Sequence, residues 1–182
     1  MESNVDELLP LSRRLDWRFL LPDPSLNRVT YNGLESSLLH QALTRFSREI
    51  IQDSEDLSAD LAVLVDPTLS NFKRRIHSVS SFYVELRRPS WQARFRQVTA
   101  PMNFLRAAAQ AGFTADAYWH YPDFEAATRI IPLSVSSPLM HVIAKNRSDT
   151  KTRIKVAGMR WFLKIGLLAR TVPCLSIIGY KA

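Results

Sequence analysis

The feature that most constrains the fold is a continuous apolar run in the middle of the chain. Residues 61–65 read Leu-Ala-Val-Leu-Val, with Asp60 before them and Asp66 and Pro67 after them. A strand that is apolar on both faces needs cover on both, which is the situation of a central strand in a parallel sheet flanked by helices. The run therefore predicts an α/β fold with a central strand at 60–66.

The segments around this run alternate between strand and helix patterns. We expect further strands at 27–33, 48–52, 81–86, 114–121 and 174–180, and helices at 34–46, 70–77, 101–112, 123–128, 137–145 and 151–171. The alternation predicts a Rossmann-like, mostly parallel sheet flanked by helices. Residues 1–26, which mix large apolar side chains, charges and prolines, are expected to form an N-terminal arm on an α/β domain at 27–182.

Composition excludes several classes of protein. A chain of 182 residues, 46% hydrophobic and 23% charged, is typical of one ordinary globular domain. Cys174 is the only cysteine, so no intramolecular disulfide and no zinc site built on paired cysteines can form. The acidic first residues and the lack of a long apolar run lead us to expect a cytoplasmic protein, with peripheral membrane contact left open.

Several segments resemble class I, S-adenosylmethionine-dependent methyltransferases. Residues 59–66 (ADLAVLVD), 104–113 (FLRAAAQAGF) and 172–181 (VPCLSIIGYK) are similar to that family's fourth strand, to the element leading into its sixth strand and to its seventh strand. Residues 118–124 (YWHYPDF) and 130–133 (IIPL) resemble a bacterial methyltransferase-like group linked to polysaccharide or natural-product biosynthesis. The resemblance implies an antiparallel C-terminal strand, S-adenosylmethionine as the cofactor and an unknown acceptor substrate.

The sequence departs from this family on the cofactor side. Family members carry a GxGxG-type loop after the first strand, whereas residues 31–36 here read YNGLES, with one glycine. Only the segment 48–60 stands where the family has two strands and a helix. The resemblance implies that Asn32 and Gly33 line the cofactor turn and that Asp53 holds the ribose hydroxyls, although a solvated turn is the alternative for Asp53. The cofactor is therefore S-adenosylmethionine or none.

Three residues are candidates for catalysis. Asp66 follows the central strand, where open α/β sheets place their ligands, and its alternative role is to cap the next helix. His120, with Asp123 orienting it, could serve as a general base near neutral pH, or it could be a buried histidine satisfied by a backbone carbonyl. Tyr118 lies on the same face of the expected strand and would face the substrate.

The positive charge is concentrated late in the chain. The net charge is +7, and the stretch from 145 to 170 holds eight Lys or Arg against one acidic residue. On a helix, Arg153, Arg160 and Lys164 lie roughly on one side, with apolar residues on another. Such a helix can dock on an anionic membrane surface or an acidic partner protein, and the alternative is a solvated face of a covering helix. Arginines interleaved with aromatic residues at 87–96 also fit single-stranded nucleic acid.

Two functions of different classes remain open. In the first, the chain is a methyltransferase-like protein of the bacterial biosynthetic type. In the second, it is a non-catalytic binding or partner subunit that retains the methyltransferase fold and uses its basic region. A shortened sheet exposes more edge than usual, which favours a homodimer.

Overall fold

The computed structural model describes residues 5–52, 59–87, 101–134 and 172–181. The helices in these ranges are α1 (Val5–Arg13), α2 (Leu38–Phe46), α3 (Leu69–Ile76) and α4 (Pro101–Gln110), with a short 3-10 helix at Asp16–Leu20. The strands are β1 (Arg28–Asn32), β2 (Glu49–Gln52), β3 (Leu61–Val65), β4 (Ser81–Arg87), β5 (Phe113–Tyr121), β6 (Arg129–Pro132) and β7 (Cys174–Lys181).

All seven strands form one sheet, in the order β2-β1-β3-β4-β7-β5-β6. The first half is parallel, since β1 pairs with β2 and β3, and β3 pairs with β4. The last strand, β7, lies antiparallel between β4 and β5, and β6 is an antiparallel edge strand beside β5. This confirms the predicted Rossmann-like α/β fold with an antiparallel C-terminal strand.

The apolar run at 61–65 is a central strand, as predicted. β3 lies between β1 and β4, and Leu61, Ala62, Val63 and Leu64 are buried. Helices cover both faces of the sheet, so a side chain of β3 meets apolar neighbours whichever way it points.

The two faces of the sheet are covered by different parts of the chain. α3 and α4 cover one face, where the ring of Phe72 packs 5.1 Å from both Phe82 and Phe104. α2 and the N-terminal arm cover the other face, and there Trp17 stacks on Tyr83 with ring centroids 3.9 Å apart. The arm therefore belongs to the core of the second face.

One predicted helix is wrong. Residues 123–128 form a turn in which the Asp123 carboxylate accepts a hydrogen bond from the amide of Ala126, 2.7 Å away. The amide of Thr128 donates to the carbonyl of Tyr121, so the turn closes a hairpin between β5 and β6. Strand β6 was not expected from the sequence.

Other boundaries shift slightly or lie outside the described residues. α2 begins at Leu38 rather than at 34, because the hydroxyl of Ser37 caps it by accepting from the amide of His40 at 3.1 Å. The helices expected at 137–145 and 151–171 lie outside the described residues. In the ranges that are described, no helix combines the length and the apolar content that a membrane span requires.

Candidate functional site

The order of the parallel strands creates a crevice at one edge of the sheet. β2 lies on one side of β1 and β3 lies on the other, so the chain order reverses between β1 and β3. The helices that follow these two strands pack on opposite faces, α2 on the arm's face and α3 on the other. The loops after β1 and β3 therefore diverge, and open α/β sheets bind ligands in the crevice between such loops.

Three of the predicted site residues lie at this crevice. Asn32 ends β1, Gly33 follows it, and Asp66 follows β3. Gly33 lies close to the end of β3, because a methyl group on Gly33 would lie 3.0 Å from Cγ2 of Val65. The structure thus brings together residues that are 33 positions apart in the sequence.

The glycine in the first loop is covered by a neighbouring side chain. A methyl group on Gly33 would lie 2.7 Å from Cζ of Tyr31, too close for any real contact. The Tyr31 hydroxyl donates to the carbonyl of Leu34 at 3.0 Å and lies 2.8 Å from Oγ of Ser37. The phenol therefore spans the β1–α2 turn, directly above Gly33.

Asp66 fixes the geometry of the β3–α3 turn. Its backbone has a φ of +47°, a left-handed conformation that aspartate tolerates better than most residues. Its carboxylate accepts from the amide of Arg87 at 2.7 Å, and its own amide donates to the carbonyl of Glu85. Thr68 caps α3, accepting from the amide of Asn71 at 3.2 Å, so the alternative role proposed for Asp66 belongs to Thr68.

A buried charged group, which we call the arm cluster, lies next to the crevice. It consists of Arg14, Tyr83, Glu85, Arg87 and Phe124. The Glu85 carboxylate, which has no exposed surface, accepts from the guanidinium of Arg14, from the hydroxyl of Tyr83 at 2.8 Å and from the guanidinium of Arg87 at 3.3 Å. The ring of Phe124 lies between the two arginines, with centroid distances of 5.5 and 5.7 Å.

The charges of the arm cluster stabilise one another. Burial alone would lower the pKa of Arg14, but the charge of Glu85 together with Tyr83 and their hydrogen bonds outweighs it and holds that pKa above its usual range. Burial raises the pKa of Tyr83 well above its ordinary value, and the neighbouring Glu85 carboxylate adds to the effect. At neutral pH Tyr83 therefore keeps its proton and donates a hydrogen bond to the Glu85 carboxylate, which the two guanidinium groups also contact.

His120 is buried beside the arm cluster, with 2% of its surface exposed. Its Nε2 lies 2.9 Å from the hydroxyl of Ser176, and its ring is 4.8 Å from that of Phe124. Burial, with a smaller contribution from Arg14, lowers the pKa of His120 to about 3. The imidazole is consequently uncharged at neutral pH, and its described polar partner is a hydroxyl rather than a backbone carbonyl.

Tyr118 lies on the same face of β5 as His120. It is half-buried against the core that contains the arm and sits opposite Ser176 in the ladder between β5 and β7. Burial raises the pKa of Tyr118, and Asp116 adds to the effect. Trp119 packs against the core on the other face of the sheet, so neighbouring side chains of β5 point to alternate faces, as expected for a strand.

The remaining predicted site residues are not part of the described structure. Asp53 and the basic residues Arg153, Arg160 and Lys164 lie outside the described residues. Among the residues that are described, no group of histidine, cysteine and carboxylate side chains is arranged to hold a metal ion.

Sequence patterns did not indicate the role of Arg14, Tyr31 or Glu85. Glu85 does carry a signal, because it is a charged residue inside the apolar strand 81–86 and such residues are rarely buried without a partner. The partner is Arg14, which lies 71 positions away in the sequence, and local patterns could not identify it.

Comparison with known proteins adds no assignment. No family model matches the chain, and none of the curated proteins searched matches it. Function is therefore inferred from the geometry of the described residues.

Proposed function

We propose that this chain is a methyltransferase-like protein of the bacterial biosynthetic type, with its ligand in the crevice between β1 and β3. One observation carries the proposal: the strand order reverses at this crevice, and Gly33 and Asp66 stand at its two loops. Reversals of this kind are where open α/β sheets bind nucleotide-like ligands.

The positions of the resembling segments support the same proposal. Residues 59–66 form the central strand β3, residues 104–113 lead from α4 into β5, and residues 172–181 form the antiparallel strand β7. Each segment therefore has the type of secondary structure that the resemblance implies, and β7 pairs with the strand that follows α4.

The crevice offers a fit for S-adenosylmethionine once the phenol of Tyr31 moves aside. Gly33 would let the backbone approach the ligand closely, and the Asp66 carboxylate would lie near its positive charge. The cofactor, when bound, supplies a methyl group on a sulfonium. The chain itself would orient the donor and exclude water around it.

On the acceptor side, we expect positioning rather than strong base catalysis. A histidine whose pKa is about 3 is a weak proton acceptor at neutral pH, and the Nε2 atom of His120 already faces Ser176. Tyr118, which is half-buried, would orient the acceptor, and the buried His120 would support Tyr118 from the core through Ser176. Holding two reactants in the reactive geometry alone can lower a barrier by about 7–11 kcal/mol.

Calorimetric titration with S-adenosylmethionine and S-adenosylhomocysteine tests the proposal. We expect saturable binding to the wild type and its loss in Gly33→Val, because the valine side chain would fill the space beside Val65 that the ligand needs once Tyr31 has moved. Leu34→Ala is the matched control, since the Leu34 side chain in the same turn is 75% exposed and its carbonyl is retained. No binding and no thermal stabilisation at millimolar ligand would contradict the proposal.

The second candidate function is a non-catalytic partner subunit that retains the fold. The observation that favours it is the closed crevice, in which the Tyr31 phenol covers Gly33. In this case the basic region at 145–170 would engage an acidic partner, a membrane surface or nucleic acid. Co-sedimentation with anionic liposomes should then fall when Arg153, Arg160 and Lys164 become glutamate, and unchanged sedimentation would rule out the membrane.

A further inference from the structure

The covered glycine at the crevice raises the question of what the covering side chain does. The ring of Tyr31 lies so close above Gly33 that no other side chain fits there, and its hydroxyl bonds within the β1–α2 turn. The space that a glycine leaves for a ligand is thus filled by the protein itself. Tyr31 is only half-buried, so this filling lies at the surface and is not part of the deep core.

The two hydrogen bonds of the phenol are of a kind that a ligand can replace. The carbonyl of Leu34 accepts from the phenol, and the hydroxyl of Ser37 can donate to the phenol oxygen, so a ligand hydroxyl placed above the turn could make both bonds. The Ser37 hydroxyl also accepts from the amide of His40, so it stays in place when Tyr31 leaves. The net contribution of a neutral hydrogen bond is modest, so a ligand that remakes these bonds offsets most of the cost of displacing the phenol.

The surroundings of the phenol indicate the chemistry of such a ligand. The ring of Tyr31 packs against the ring of His40 with centroids 5.0 Å apart, which makes the space suitable for a flat ring. The end of this space needs a hydroxyl or ammonium donor that points at the Leu34 carbonyl. Tyr31 also packs against the core that contains Tyr83 of the arm cluster.

We propose that Tyr31 is the gate of the crevice between β1 and β3: its phenol occupies the place of a nucleoside-type ligand, and a bound ligand displaces it. Tyr31 then sets both affinity and selectivity, because a ligand needs a flat group and a donor to replace the phenol. The gate rests on the proposed function, since it concerns the same crevice.

Truncating the tyrosine tests the gate. We expect Tyr31→Ala to bind S-adenosylhomocysteine at least about tenfold more tightly than the wild type in calorimetry, since the ligand no longer competes with the phenol. Tyr31→Phe, which keeps the ring and loses both hydrogen bonds, should lie between them and guards against misfolding of the alanine variant. Tyr180→Ala is the matched control: it removes a half-buried tyrosine near the opposite end of β4, where Tyr180 pairs with Ser81, and should bind as the wild type does.

A second probe, which does not depend on S-adenosyl ligands, distinguishes failure of the gate from failure of the proposed function. If no form of the protein binds S-adenosylhomocysteine, 4-methylphenol is titrated while the unfolding temperature is measured. Stabilisation of Tyr31→Ala alone, with none in the wild type or Tyr180→Ala, would keep the gate and reject the S-adenosyl ligand. Absence of that stabilisation would overturn the gate, as would a Tyr31→Ala variant that binds S-adenosylhomocysteine no more tightly than a binding-competent wild type.

Discussion

Glu85 is a carboxylate in the middle of a buried strand, and its partners explain how it can be there. Removing a carboxylate from water costs several kcal/mol unless other groups replace the lost hydration. Arg14, Arg87 and the Tyr83 hydroxyl provide those replacements. The pair between Arg14 and Glu85 also ties the N-terminal arm to β4, because the two residues are 71 positions apart.

Removing Arg14 should therefore be costly. We expect Arg14→Met to lower the free energy of unfolding by about 3–5 kcal/mol, since it leaves a buried carboxylate without its main partner. Urea denaturation measures the change. The matched control is Arg28→Met, which breaks the exposed pair with Glu49 and should cost no more than about 1 kcal/mol. Similar small losses in both variants would contradict the burial of the arm cluster.

The burial of His120 predicts a specific dependence of stability on pH. Its pKa is about 3 in the folded protein, against 6.5 for an ordinary histidine, so the unfolded chain takes up the proton first as pH falls. The stability contributed by the neutral ring is present above pH 6.5 and is lost as pH falls from 6.5 towards 3. The expected slope from this residue approaches about 1.4 kcal/mol per pH unit.

Equilibrium unfolding between pH 7 and pH 4 checks this prediction. His120→Gln, which can still bond to the Ser176 hydroxyl, should flatten the slope relative to the wild type. His77→Gln is the control, because His77 is exposed at the end of α3, and it should leave the slope unchanged. Equal slopes in all three proteins would mean that His120 is protonated in the folded state.

At the scale of single elements, the β3–α3 turn joins the central strand to the crevice between β1 and β3. The left-handed backbone of Asp66 turns the chain, and its carboxylate holds the end of β4 through the amide of Arg87. Asparagine tolerates the same backbone and keeps one acceptor oxygen, whereas alanine does neither. These two substitutions therefore separate the fold of the turn from the charge that we assign to ligand binding.

We expect Asp66→Ala to lose about 1–3 kcal/mol of stability and Asp66→Asn to recover most of that loss. Thermal unfolding measures both. If the crevice uses the charge of Asp66, the asparagine variant should still bind S-adenosylmethionine, whose sulfonium is positively charged, less tightly than the wild type, despite its intact fold. An alanine variant as stable as the wild type would show that the turn does not depend on this residue.

Some of the helices and strands could be predicted from the sequence, and others could not. β3 and the start of α4 follow from local patterns, a doubly apolar run and a proline at the first helical position. β6 was missed because its four residues include a proline and it is a strand only through pairing with β5. The prediction of a helix at 123–128 was wrong, because the Asp123 side chain accepts a hydrogen bond from the backbone and favours a turn.

For the whole molecule, the N-terminal arm completes the second face of the sheet. In the described residues, Leu15, Trp17 and Leu21 of the arm pack with Val63 and Tyr83 on this face. The arm and α2 therefore cover the apolar surface of β3 and β4 on this face together.

Removing the arm should consequently expose the sheet. We expect deletion of residues 1–21 to abolish cooperative thermal unfolding and to increase binding of a hydrophobic dye, because a fully buried Trp17 and its neighbours are lost. Phe19→Ser is the control on the same arm, since Phe19 is 63% exposed, and it should behave like the wild type. Cooperative unfolding of the shortened chain would show that the arm is dispensable for the fold.

The candidate site was predictable only in part, for a physical reason that applies to the whole chain. Gly33 and Asp66 could be placed because the ends of parallel strands meet at one edge of the sheet. The gate and the arm cluster could not, because they depend on side-chain directions and on contacts between distant segments. Local periodicity does not encode either.

The most direct measurement is an amide NMR titration of the wild-type chain with S-adenosylhomocysteine. A ligand in the crevice between β1 and β3 should shift the amides of Gly33, Leu34 and Ser37 together with that of Asp66, and leave those of Ser81 and Tyr180 at the other end of the sheet unchanged. Unshifted spectra at millimolar ligand, or shifts confined to Ser81 and Tyr180, would contradict the proposed site.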